Sequence, residues 1–356
     1  MPDVLPGDRM PFCYGMTADR QFYSFEAQAG RPAAVILANA ACLDDLARMV
    51  GDFARRSDAL ARHNADVLVL GDEDVVRALP DRLPARCRIK VVDCGASFLA
   101  QCSVPRGATA VVLLDRALRV AMRLSPGQPV DAAAACLACL DELPREEARE
   151  VSLPAPVLLL PNLLPRALCR ALMEQFESGP SVDGGMATID AAGKPQTRID
   201  HAKKHRRDLP ITPDDAMHAT LRDALLHRCA PEIAKAFQVK IAHTDRILLA
   251  RYDAPGGCFL RHRDNMAENV AFREFAISVN LNTEEYEGGH LTFPEYNDHR
   301  YRPPTGAGVI FSASMLHEAA AVSRGRRYVL LTFLHSDAAE ARRRAYDAGT
   351  LRSGGA

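Results

Sequence analysis

Apolar positions are spaced differently in the two halves of the chain. In the first half, Pro32-Ala-Ala-Val-Ile-Leu-Ala, Ala65-Asp-Val-Leu-Val-Leu-Gly, Ile89-Lys-Val-Val-Asp93 and Ala108-Thr-Ala-Val-Val-Leu-Leu-Asp115 are short apolar runs. Runs of this length predict buried strands. Between and after them, Leu43 to Arg62, Asp74-Val-Val-Arg-Ala-Leu and Val130 to Leu143 read as helices. Strands alternating with helices predict an α/β sheet covered on both faces. The charged run Glu142-Leu-Pro-Arg-Glu-Glu-Ala-Arg-Glu leads into the Pro-broken Val151-Ser-Leu-Pro-Ala-Pro156, which predicts a linker. Residues 1–148 and 149–345 are therefore expected to form two domains, with 346–356 as a flexible tail.

In the second half, Val157 to Phe176 reads as strand, turn and helix, with Asn162 or the residues just after it as the cap. Thr220 to Phe237 reads as a second helix. Short strands follow at Ile247–Tyr252, Cys258–His262, Phe275–Asn282 and Tyr328–Leu334, with turns at Gly288, Pro303-Pro304 and Gly306. Two sheets of short strands make a jelly roll (a double-stranded β-helix), giving an α+β domain. Phe275-Ala-Ile-Ser-Val-Asn-Leu-Asn alternates as a half-buried strand should, and puts Ser278 and Asn280 on one face. The polar stretch 184–208, with Lys203-Lys204-His205-Arg206-Arg207, reads as a solvated loop; the alternative is a mobile lid whose cations hold an acidic substrate.

The candidate chemistry lies between Tyr252 and Leu334. Residues i and i+2 of a strand share a face, so His262 and Asp264 can chelate one ion. A third ligand must come from a distant strand, and His317 follows an apolar run suited to one; His290 and His299 are its rivals. Two imidazoles and one carboxylate make the facial triad of non-haem Fe(II) oxygenases. Arg327 opens a β-rich run, and a buried guanidinium there wants an anionic partner such as a carboxylate held by two hydrogen bonds. Arg326, one position earlier, competes for that role.

Tyr252, Gly256-Gly257, His262-x-Asp264, Gly288-Gly289-His290-Leu291, His317 and Arg327 form an ordered set. This set resembles the 2-oxoglutarate- and Fe(II)-dependent dioxygenases of the prolyl 4-hydroxylase branch. The resemblance implies that His262, Asp264 and His317 hold Fe(II), and that Arg327 pairs with the distal carboxylate of 2-oxoglutarate. It implies that Tyr252 hydrogen-bonds nearby, with Asn280 and Ser278 lining the co-substrate pocket. The activity it implies is O2-dependent hydroxylation of an unactivated C–H bond with release of succinate and CO2, ascorbate being a further reductant. A carboxylate at 264 favours hydroxylation over halogenation. A prolyl or other amino-acid residue, a free amino acid and a small biosynthetic intermediate are all open as substrate.

The first half resembles a thioredoxin-fold peroxiredoxin, through Pro6-Gly-Asp-x-x-Pro11-Phe and the strand Arg106 to Asp115. Its active-site motif is broken. Val35 and Asn39 stand where that family has Pro and Thr, and Asp44 and Asp45 set negative charge beside Cys42. A thiolate needs stabilisation of the opposite sign. A degenerate domain kept for packing, homodimerisation or docking is the expectation. A thiol peroxidase using Cys42 and a non-catalytic metal-binding sensor are the alternatives.

Composition narrows the partners. The chain has 44 basic and 45 acidic residues for a net charge of −1, which gives no electrostatic case for nucleic acid or an anionic membrane. The N-terminal Met-Pro-Asp-Val-Leu-Pro-Gly-Asp lacks the basic and apolar regions of a signal peptide. Ten cysteines without a framework suit reduced thiols in a cytoplasm, Cys136-Leu-Ala-Cys139 included.

Overall fold

The computed structural model describes residues 4–39, 43–83, 89–128, 130–144, 148, 150–189 and 195–349. The chain divides into two compact units, residues 1–148 and 149–356.

The first unit is a seven-stranded sheet. Its strands are β1 (Tyr14–Thr17), β2 (Phe22–Ser24), β3 (Ala33–Asn39), β4 (Asp66–Gly71), β5 (Lys90–Asp93), β6 (Ala108–Leu114) and β7 (Val120–Leu124), in the order β2-β1-β5-β4-β3-β6-β7. β3, β4 and β5 run parallel, while β6 and β7 are antiparallel to their neighbours, a thioredoxin-like arrangement. Period-2 alternation sends Val35 and Leu37 of β3 to a core with Phe25, Phe98 and Leu99, and Ala34 and Ile36 to one with Leu46, Val50 and Phe53. With both faces covered, β3 is apolar throughout, as a parallel strand between helices should be.

The predicted helix over Leu43–Arg62 is two, α1 (Leu43–Arg55) and α2 (Ser57–Arg62), because Arg56 leaves the helical region at φ −104° and ψ 17°. α3 (Glu73–Ala78), α4 (Gly95–Gln101) and α5 (Ala132–Glu142) complete the unit. The β1–β2 hairpin, α4 and β7 carry no clear apolar period, and sequence patterning missed them. Cys42 lies outside the described residues. Burial pushes the thiols of Cys13, Cys102 and Cys136 up to about 12, and raises those of Cys94 and Cys139. The Cys136–Cys139 pair on α5 therefore holds protonated, unreactive thiols.

The second unit is built on two sheets. Its strands are β8 (Leu158–Leu160), β9 (Val182–Asp183), β10 (Met186–Ile189), β11 (Pro195–Arg198), β12 (Lys204–His205), β13 (Arg207–Ile211), β14 (His243–Thr244), β15 (Ile247–Asp253) and β16 (Cys258–His262). They continue with β17 (Phe275–Asn280), β18 (Glu287–Gly288), β19 (Leu291–Phe293), β20 (Asn297–Tyr301), β21 (Gly308–Ser312), β22 (His317–Ala319), β23 (Val322–Arg324) and β24 (Arg326–His335). The larger sheet runs β8-β21-β17-β24-β15-β13-β9, with β14 also on β24; the smaller runs β12-β16-β22-β19-β20.

Helices α6 (Arg166–Ser178) and α7 (His218–Phe237) pack Leu172, Phe176, Leu221, Leu225 and Ile233 against one face of the larger sheet, while α8 (Asp337–Asp347) follows β24. α6 begins after Pro165 as N-cap, without a side-chain cap, and Asn162 instead takes a left-handed turn at φ 55°. The other face holds Tyr252, Ala276, Phe311, Val329 and Phe333 together with Phe293 and Ala319 of the smaller sheet. β17 is buried along its whole length rather than half-buried, because helices cover one face and the smaller sheet the other. Among the described residues no helix is long and apolar enough to cross a membrane.

Candidate active site

β16 and β22 pair antiparallel in a register that sets His262 opposite His317. Both are separated by more than fifty positions in sequence, so only sheet pairing joins them. β16 ends at His262, and Asp264 enters from the turn that follows, its N–H donating to the Ala313 carbonyl at 2.9 Å. His262 Nε2 lies 3.5 Å from one Asp264 carboxylate oxygen and His317 Nε2 lies 3.4 Å from the other. One ligand atom from each residue falls within 4.8 Å of the others. This is the one such His/Cys/Asp/Glu cluster among the described residues, and neither His290 nor His299 belongs to it.

The imidazole tautomers follow from the backbone. His262 Nδ1 is 2.7 Å from the Leu260 carbonyl and His317 Nδ1 is 3.0 Å from the Met315 carbonyl. A carbonyl only accepts, so each Nδ1 carries a proton and each ring turns its Nε2 toward Asp264, where loss of the Nε2 proton would present a lone pair to a metal. Lone pairs converging on a carboxylate repel unless a cation lies among them, and backbone-oriented imidazoles are how proteins present Nε2 to a metal. Burial lowers the pKa of His317, although Asp264 opposes this. Burial also works to raise Asp264, but without a metal the protons on His317 and His262 stand in for one, and with the charge of Arg273 they outweigh burial and hold the carboxyl at about 2. Phe259 stacks on the His262 ring at 3.4 Å and Phe311 lies 4.6 Å from that of His317, shielding both ligands from water.

Arg327 sits opposite Tyr252 in the β15–β24 register and is 2 % exposed. Its Nη2 donates to Ser278 Oγ at 3.4 Å and to Asn280 Oδ1 at 3.3 Å, and its guanidinium carbon lies 5.1 Å from the Tyr252 ring centroid. Its Nε is buried without a partner, and among the described residues no carboxylate reaches it. Arg326, on the opposite face of β24, is exposed and near Asp253 at 3.5 Å, so strand alternation separates the two arginines. Asn280 Nδ2 donates to the Pro303 carbonyl at 2.9 Å, which turns its Oδ1 toward Arg327. Ser278 lines the cavity; Asn280 stands behind Arg327 instead. Tyr252 Oη accepts from Arg206 Nη1 at 2.9 Å, leaving its own proton free to donate.

The cavity before these groups has a volume of about 220 Å³. Five cations that sequence reading had not placed there line it: Lys204, Arg206, Arg246, Arg263 and Arg273. Within the stretch 184–208, residues 204–208 are therefore not a solvated loop, whereas Ile199 and 201–203 are exposed as expected. β12 pairs with β16 and β13 with β15, and these pairings draw Lys204 and Arg206 into the interior at 2 % and 7 % exposure. Lys204 Nζ donates to the Gly185 carbonyl at 2.6 Å and meets Asp208 at 3.3 Å, which also holds Arg206 at 2.7 Å. Burial, reinforced by the charge of Arg206 and opposed by Asp208, lowers Lys204 to about 7. Arg246 was legible in principle, since period 2 through Leu248 and Tyr252 puts position 246 on their face.

Residues 247–335, which hold the whole triad and Arg327, match the family model described as the 2OG-Fe(II) oxygenase superfamily. The chain carries a 2OG-Fe(II) oxygenase domain. Its relatives include a PKHD-type hydroxylase of Picosynechococcus, 25% identical over 192 residues that cover 53% of this chain and 80% of the relative. A PKHD-type hydroxylase of Shewanella frigidimarina is 36% identical over 146 residues, 35% of this chain and 60% of the relative. Among solved structures, the chain is similar to a Trichoplax adhaerens prolyl hydroxylase in complex with a hypoxia inducible factor peptide fragment (17% identity, 53% of this chain, 86% of the other, TM-score 0.42). It is also similar to a Mycobacterium tuberculosis peroxidoxin (17% identity, 40% of this chain, 99% of the other, TM-score 0.36).

Proposed function

We propose that the oxygenase domain is an Fe(II)- and 2-oxoglutarate-dependent dioxygenase that hydroxylates an unactivated C–H bond of its substrate and releases succinate and CO2. The observation that carries this reading is the convergence of two Nε2 lone pairs and the Asp264 carboxylate, a donor set suited to a divalent metal with open positions. Arg327 supports it independently, as a buried guanidinium with an idle Nε and only neutral acceptors.

Iron and 2-oxoglutarate, when bound, supply O2 activation and the oxidising power for C–H cleavage. The residues of this chain do the rest. His262, Asp264 and His317 would hold the metal. Arg327, oriented by Ser278 and Asn280, fixes the distal carboxylate of the co-substrate, and Tyr252, held by Arg206, donates its hydroxyl proton beside it. Leu248, Phe311, Leu331 and Phe333 line the cavity with apolar surface and exclude water from the reacting atoms.

The test is anaerobic. Fe(II) and then 2-oxoglutarate are added to the purified protein while the visible spectrum is recorded. A weak charge-transfer band that is absent in Asp264→Ala supports the reading. Bound metal with no band on adding 2-oxoglutarate refutes it.

A further inference from the structure

The oxygenase reading leaves part of the cavity's charge unexplained. A divalent metal, Asp264, the two carboxylates of 2-oxoglutarate and Arg327 cancel one another. Lys204, Arg206, Arg246, Arg263 and Arg273 remain, and among the described residues three carboxylates answer them: Asp208, paired with Lys204 and Arg206, Asp245, paired with Arg273, and Glu295, paired with Arg263. Five cations against three anions leave a surplus of two positive charges while Lys204 is protonated and of one above its pKa of about 7.

The surplus is localised. Arg273 is 7 % exposed and is fixed by Asp245, with Nε at 2.8 Å and Nη2 at 2.7 Å. Its guanidinium lies 3.9 Å from the Phe333 ring centroid, and its Nη1 reaches the Asp264 carbonyl at 3.4 Å. Arg246 lies over the same ring at 5.9 Å. Among the described residues Arg246, an exposed residue that lines the cavity, makes no hydrogen bond or ion pair, and the charges of Arg273 and Arg206 around it are opposed by those of Asp245 and Asp208. Asp245 and Asp208 are each already paired with another cation, so the Arg246 guanidinium keeps its hydrogen-bonding fork open for an incoming anion. Phe333 is six residues from Arg327 on the same strand, about 20 Å of extended chain. The Arg246–Arg273 pair thus sits at the far end of the sheet from the co-substrate clamp, on the side where Arg273 touches the metal-binding turn.

Resting on the oxygenase reading, we propose that Arg246 and Arg273 bind a carboxylate of the substrate, which is therefore a small carboxylic acid rather than an internal residue of a peptide. The cavity of about 220 Å³ leaves room for a small acid beside the co-substrate. Arg273 is the rigid half of the site, positioned by Asp245. Arg246 is the adaptable half, free to close its planar fork on the carboxylate.

The experiment uses trifluoroacetate as a carboxylate probe, with the full chain loaded with Mn(II) and saturated with 2-oxoglutarate so that Arg327 is occupied. Fluorine relaxation is followed as trifluoroacetate is titrated in. Saturable enhancement by the nearby Mn(II) is expected, with affinity about tenfold or more weaker in Arg246→Gln and partly restored in Arg246→Lys. Titration of the same samples with Mn(II) and with 2-oxoglutarate reports the triad and Arg327 separately. Protein that binds both but gives no saturable enhancement, or an Arg246→Gln variant that matches the wild type, overturns the carboxylate site and leaves the oxygenase reading standing. Protein that binds neither Mn(II) nor 2-oxoglutarate removes the oxygenase reading and this inference with it.

Discussion

Replacing Arg327 by Met separates what the guanidinium does for the co-substrate from what it does for the fold. In the unliganded protein Arg327 is buried, its Nε has no acceptor and its Nη2 reaches only Ser278 and Asn280 at 3.3–3.4 Å. Its desolvation is therefore poorly offset, and a methionine of similar shape relieves it. A gain of about 1 kcal/mol would raise the Tm of the apo protein by ~2–4 °C for a domain of this size. The co-substrate responds with the opposite sign. Its distal carboxylate would face the neutral Ser278, Asn280 and Tyr252, and loss of one partner of a buried charged pair costs ~2–5 kcal/mol. At 1.4 kcal/mol per decade, the Kd of 2-oxoglutarate should rise by roughly 30-fold to several thousand-fold. Anaerobic calorimetry with Mn(II) in place of Fe(II) measures the affinity, and thermal unfolding without ligand measures the fold. A change in Kd below about threefold in Arg327→Met, beside a large one in Arg326→Met, would refute the assignment and put the clamp on the other face of β24.

Three further outcomes are expected. Asp264→Ala should reduce Mn(II) affinity by orders of magnitude with little change in far-ultraviolet circular dichroism, because the turn that carries it is also held by the Ala313 carbonyl; unchanged Mn(II) binding would exclude the triad as the metal site. Lys204 has a folded pKa near 7, below its ordinary 10.5, so the unfolded chain binds more protons between those values and stability rises with pH there. The cost of burying charged Lys204 is fully present below pH 7, so Lys204→Met should gain most stability over wild type near pH 6 and least near pH 10, and a gain independent of pH in chemical denaturation would contradict this. Iodoacetamide at pH 8 should leave Cys13, Cys102 and Cys136 unmodified in the native protein and label them on unfolding, since burial holds all three thiols protonated at about 12; mass spectrometry of the alkylated peptides reads the result.

The strands around the site were readable because their patterns have one physical cause. β3 is apolar throughout because both of its faces are covered, and β24 alternates an exposed Arg326 with a buried Arg327 because one face of its sheet meets the cavity. β17 misled for a related reason. Its alternation suggested one solvated face, yet both faces are covered; Ser278 and Asn280, expected to line the co-substrate pocket, are buried as hydrogen-bond partners of Arg327, and of the two Ser278 lines the cavity. The stretch 184–208 misled more, since a run of cations reads as solvated unless carboxylates and a pairing strand are known to await it.

By itself the sequence determined the identity and order of the chemical groups: His262, His317, Arg327 and Tyr252 on strands whose alternation is local and follows from backbone geometry alone, and Asp264 in the turn after β16. Tertiary structure decided which distant groups share a cavity and in what state of charge. Pairing of β16 with β22 set His262 across from His317, and backbone carbonyls fixed the proton on each Nδ1. Pairing of β12 and β13 with their neighbours turned Lys204 and Arg206 inward, where Asp208 answers both. The surplus charge at Arg246 exists only in that assembled field, because a guanidinium's need for an anion depends on every carboxylate within reach, and reach is a property of the fold.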